Sequence, residues 1–101
     1  FQYNDITSFD GIEHLIYLEV LNISHNSLIS LNGIEKSTNL KYLDCRKNDI
    51  TSFKGVEYLN KLEFFYKGSE PSDSFEGGKL KDYQKKLIIE SRKDKIKSIL
   101  K

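Results

Sequence analysis

The sequence predicts an α/β repeat fold: a solenoid with short parallel β-strands on its concave face, short helical or 3-10 turns on its convex face, and a C-terminal helical cap. Three observations predict it. Residue types recur every 22 positions through the first two thirds of the chain, the run Asn4 to Phe9 returns unchanged at Asn48 to Phe53, and from Lys79 onward apolar residues fall three and four apart among lysines. With 101 residues, 38% apolar and 12% aromatic, the chain holds one modest core and excludes a multidomain enzyme. No stretch approaches the roughly 18 consecutive apolar residues of a membrane-spanning helix, and mean hydropathy is −0.53.

The repeat is carried by whole columns of residues. Asn4, Asn26 and Asn48 are spaced by 22, as are Gly11, Gly33 and Gly55, and Glu13, Glu35 and Glu57. Leu18, Leu40 and Leu62 keep the same step, as do Leu21, Leu43 and Phe65. Each type has a physical reason. Apolar residues two apart, such as Leu21 and Ile23, put one face of a strand inward and leave the intervening residues on the other face. Where the chain leaves the strand, an Asn amide can satisfy both a backbone donor and an acceptor, so Asn4, Asn26 and Asn48 are expected to form a structural ladder. The glycines mark turns with positive φ or close approach, and the residues after them a short 3-10 or helical segment.

Written as one unit, Leu40 to Ile50 reads L-x-x-L-x-C-x-x-N-x-I, which resembles the leucine-rich repeat signature. Leu18 to Leu28 fits equally, with Ile23 in the place of Cys45. The period and the Gly-Ile/Val-Glu continuation are similar to the short class of leucine-rich repeats, typified by a regulatory subunit of protein phosphatase 1. The resemblance covers residues 1 to 70. It implies the solenoid fold and a protein partner such as a phosphatase catalytic subunit, and it assigns no binding residues.

Three segments follow: residues 1–68 as about three repeats, the first incomplete; 69–78 as a loop, from its Gly, Ser and Pro content; and 79–101 as a basic amphipathic helix. Leu80, Tyr83, Leu87 and Ile88 form its apolar stripe, which Ile96, Ile99 and Leu100 continue after a polar stretch that is either a kink or a gap between two helices. Residues 1–78 carry 7 Lys/Arg against 12 Asp/Glu, a balance of −5, and residues 79–101 carry 9 against 3, a balance of +6. The tail reads either as a cap over the last repeat or as a basic helix for a partner or an anionic surface. At the other end, Phe1 falls in a strand column with no polar cap before it, so further upstream repeats or self-association through that edge are expected.

Chemistry finds little purchase. His14 belongs to a convex, solvated column. His25 lies at the concave rim, and with Asp44 it would supply two metal ligands, which do not make a site. Cys45, the only cysteine, occupies an inward column and reads as a buried, inert thiol. Phosphate-binding loops, paired zinc motifs and nucleophile elbows are absent. No catalysis, cofactor or metal is expected.

The concave face remains. Registering the strands puts Val20, Tyr42 and Phe64 in one row, Asn22, Asp44 and Tyr66 in the next, Ser24 beside Arg46, and His25 and Lys47 along the rim. Large aromatics beside Arg are the composition of binding hot spots. Three readings stay open: a contact surface, packing between strands, or burial of Phe64 and Tyr66 beneath the C-terminal segment. The expected function is a non-catalytic protein-interaction scaffold whose partner docks on Val20, Asn22, His25, Tyr42, Asp44, Arg46, Lys47, Phe64 and Tyr66. The alternatives are an adaptor docking through the basic helix on membrane or nucleic acid, and a targeting or structural module of a longer protein. The aromatic, non-basic repeat surface argues against nucleic acid as the main ligand. The lone cysteine suggests a reducing cytoplasm, or the cell surface if an export signal has been removed.

Overall fold

The computed structural model describes residues 16–99. Asn4, Gly11, His14, the N-terminal edge and Leu100 lie outside the described residues. The described residues form a four-stranded mixed sheet followed by one helix. Strands β1 (Val20–Asn22), β2 (Tyr42–Asp44) and β3 (Phe64–Tyr66) pair in parallel, and β4 (Ser74–Glu76) pairs antiparallel with β3. Helix α1 spans Gly77–Ile99.

Alternation along three-residue strands sends the middle residue one way and its neighbours the other. The middle row Leu21, Leu43 and Phe65 is therefore buried, in register across the sheet, with half-buried Phe75 of β4 beside Phe65. The ladder runs past the strand ends, with the Ile23 N–H donating to the Asp44 carbonyl and the Cys45 N–H to the Tyr66 carbonyl, both at 2.9 Å. Cys45 and Ile23 thus continue the inward row, and both are buried.

The opposite wall of the core comes from two 3-10 turns, Ile34–Lys36 and Val56–Tyr58. Each follows a glycine with positive φ, Gly33 at 99° and Gly55 at 111°. A Cβ on Gly55 would stand 2.6 Å from Ile34 Cγ2, so both conformation and space demand glycine there. Ile34, Val56, Leu28, Leu31, Leu40, Leu59 and Leu62 fill the space between turns and strands.

Three sequence expectations need correction. Residues 69–78 are not a plain loop: they hold a 3-10 turn, Pro71–Asp73, and strand β4. The Lys67 N–H donates to the Asp73 carbonyl at 2.9 Å, and this folds the segment back so that Phe75 stacks on Phe65 with ring centroids 5.8 Å apart. The helix begins at Gly77 rather than Lys79 and runs unbroken to Ile99, because the polar stretch after Ser91 holds no Gly or Pro and its Arg and Lys residues are good helix formers with solvent beside them. Ile88 does not belong to the packed stripe, and Ile96 and Ile99 do not continue it: all three are exposed, as is Ile89, while Leu80 and Leu87 are buried.

Lys67, a charge in an apolar column, is explained by its surroundings. Its ammonium lies 5.3 Å from the Phe53 ring centroid and 5.7 Å from that of Tyr83, a cation–π arrangement that keeps the charge favourable against an apolar cluster.

Candidate functional site

The outward rows of β1 to β3 form a continuous face. Val20, Tyr42 and Phe64 are register partners, and so are Asn22, Asp44 and Tyr66. Tyr42 packs on both aromatic residues of β3, with centroid separations of 6.5 Å to Phe64 and 5.5 Å to Tyr66 and tilted rings in each pair. Such offset arrangements fit the quadrupoles of the rings. Phe64 is 39% exposed and Val20 49% exposed, while Tyr42 and Tyr66 are half-buried. These aromatics therefore pack between strands and still present ring surface to solvent. Burial, with the Asp44 charge adding, pushes the Tyr42 phenol up.

Asp44 is not a contact residue. Its carboxylate is fully buried and accepts from Arg46 twice, from Nε at 2.9 Å and Nη2 at 2.7 Å, and from the Arg46 N–H at 3.1 Å. A buried carboxylate needs this compensation, and the bidentate fork supplies it. The consequence falls on Arg46, whose guanidinium is fixed 5.3 Å from the Tyr66 ring centroid. The Asp44 carboxylate also raises the Arg46 pKa. One turn earlier, Asn22 plays the equivalent backbone role: its Oδ1 accepts from the Ser24 N–H at 3.0 Å and from the Ser24 hydroxyl at 2.6 Å. Asn22 is half-buried and Ser24 buried, so neither offers much to a partner.

The rim follows from the way each strand ends. His25 and Lys47 are exposed and adopt left-handed backbone, with φ of 59° and 60°, which turns the chain out of the sheet. The carbonyls just before them then need donors. Asn26 Nδ2 donates to the Ile23 and Ser24 carbonyls at 2.8 and 3.1 Å. Asn48 Nδ2 donates to the Cys45 carbonyl at 3.0 Å and, across to the neighbouring segment, to the Ile23 carbonyl at 2.9 Å, while its Oδ1 accepts from the Leu28 N–H at 3.0 Å. Asn48 thus ties two consecutive segments together at the rim.

Two kinds of residue escaped sequence reasoning. Glu35 and Glu57 accept from the N–H of Gly33 and Gly55, two residues upstream; the glutamate column was visible, its partner was not. Gln84 of α1 is buried and donates to the Val56 and Leu59 carbonyls at 3.0 and 3.1 Å.

Cys45 is buried, and desolvation pushes its thiol pKa well up, which leaves it inert. Among the described residues, no group of three or more His, Cys, Asp and Glu is placed to share a metal ion, and no helix is long and apolar enough to cross a membrane. Comparison of the chain with protein-family models, with curated proteins and with solved structures gives no match. The functional reading therefore stands on the geometry of this face.

Proposed function

We propose that the chain is a leucine-rich repeat module of the short class that binds a partner protein, without catalysis, through the face of β1 to β3. The observation that carries this reading is the chain of contacts from Phe64 through Tyr42 and Tyr66 to Arg46 on the outward side of the sheet, with Arg46 held by buried Asp44. Aromatic and Arg side chains supply most of the energy at protein interfaces, and groups already held in one arrangement lose little freedom on binding. Val20, His25 and Lys47 extend the same face towards its edge and rim. The parallel pairing of residues 22 apart and the 22-residue step between the two glycine-led turns support the repeat assignment. A single, buried, unpaired thiol supports a cytoplasmic location. The resemblance directs attention to phosphatase catalytic subunits as a first partner to try.

The test is quantitative affinity capture from an extract of the source organism. The wild-type chain is compared with a Phe64→Ala/Tyr66→Ala variant and with Lys85→Glu on α1. Proteins retained by the wild type and by the helix variant, and lost with the face variant at an unchanged denaturation midpoint, support the proposal. Retention that ignores the face variant, or no retained protein at all, overturns it.

A further inference from the structure

Helix α1 has a second face that the fold does not use. Advancing 100° per residue, buried Leu80, Gln84 and Leu87 point to one side, and that side packs on the sheet and the Val56–Tyr58 turn. Ile88, Ile89, Ile96 and Ile99 are all exposed, from 36% to 80%. They fall together within about 100° of arc on another side of the helix. The same arc carries the exposed cations Lys81, Lys85 and Arg92. The three carboxylates of the helix, Asp82, Glu90 and Asp94, all fall outside it, and Asp94 is held by Lys54 at 3.0 Å.

We propose that this face docks α1, lying flat, on an anionic phospholipid surface. Charge complementarity and composition select that occupant. A nucleic acid would engage the cations and leave four isoleucines in water. A bilayer interface offers anionic phosphates and acyl chains within a few ångströms of each other, and long Lys and Arg stems let apolar and charged groups of one arc reach both. The charge asymmetry sets the orientation, because residues 79–101 carry +6 and residues 1–78 carry −5: the helix is drawn to an anionic leaflet and the body is turned from it. The β1 to β3 face remains available, so this docking is independent of the partner-binding proposal.

Co-sedimentation of the full chain with large unilamellar vesicles tests it. With phosphatidylcholine vesicles as reference, about 30 mol% phosphatidylserine is expected to raise partitioning at least about tenfold. Ile89→Asp/Ile96→Asp is expected to lower it about tenfold with the denaturation midpoint unchanged, since both side chains are exposed in the free protein. Phe64→Ala/Tyr66→Ala should partition like the wild type. Three results overturn the proposal: equal partitioning on neutral and anionic vesicles, an isoleucine variant that binds like the wild type, or single-stranded RNA binding that outcompetes the vesicles and ignores the isoleucine variant, which would make nucleic acid the ligand.

Discussion

The two glycine-led 3-10 turns, Ile34–Lys36 and Val56–Tyr58, are built alike and sit in different surroundings. In each, a glycine with positive φ precedes the turn, a glutamate two residues on accepts from the glycine N–H, and the N–H after the turn donates to the carbonyl of its first residue. Around Ile34–Lys36 the glutamate is exposed, and water can replace any bond that is lost. Around Val56–Tyr58 helix α1 lies over the turn: Glu57 is only 6% exposed, one of its carboxylate oxygens has no partner, and Gln84 holds two of the turn's carbonyls. One local solution to chain reversal is thus lightly constrained where solvent reaches it and strictly constrained where it does not.

Matched substitutions should break that equivalence by different amounts. Gly55→Ala is expected to cost the most, about 4 kcal/mol, since the left-handed backbone strain adds to overpacking against Ile34. Gly33→Ala should cost at least about 1–2 kcal/mol, from its left-handed backbone. Urea denaturation of both variants measures the losses, and a loss at Gly55 no larger than backbone strain of about 1–2 kcal/mol would show that its close approach to Ile34 relaxes freely. Gln84→Leu comes next: it keeps the bulk and removes one of the two donors from each of the Val56 and Leu59 carbonyls, which keep their backbone partners, for an expected loss of about 1 kcal/mol by the same method.

The smallest effect is confined to high pH. Burial, with Glu90, Glu57 and Cys45 adding, pushes the Tyr83 phenol up to about 12. An unfolded tyrosine ionises near pH 10. The folded protein thus keeps a neutral phenol over a range in which the unfolded chain loses its proton, and stability must fall as pH rises from about 10 to 12. Tyr83→Phe is expected to flatten that decline and to leave the slope near neutral pH unchanged. A decline of identical steepness in the variant would place its origin elsewhere.

Much of the strand register could be read in advance, because a fixed step of 22 residues aligns Leu21 with Leu43 and Phe65 whatever the side chains do. The positive φ of Gly33 and Gly55 was legible for the same reason. Strand β4 was not: three residues with one apolar member carry no periodicity, and only the pairing with β3 and the packing of Phe75 on Phe65 and Tyr83 define them. Alternation placed Asp44 on the outward face correctly and said nothing of Arg46 folding over it. The helix stripe failed at Ile96 and Ile99 because spacing identifies a face of a helix and cannot say how far the surface beneath it extends. In the candidate site, the aromatic rows were readable and the ion pair that fixes Arg46 was not.

Cys45 gives the molecule an internal reporter. It is the only thiol in the chain, it is 1% exposed just past the end of β2, and its N–H is bonded to β3. A thiol reagent can reach it only when the core around it opens. The labelling rate of the unaltered protein therefore counts such openings in time, and a ligand seated across β2 and β3 would slow that clock.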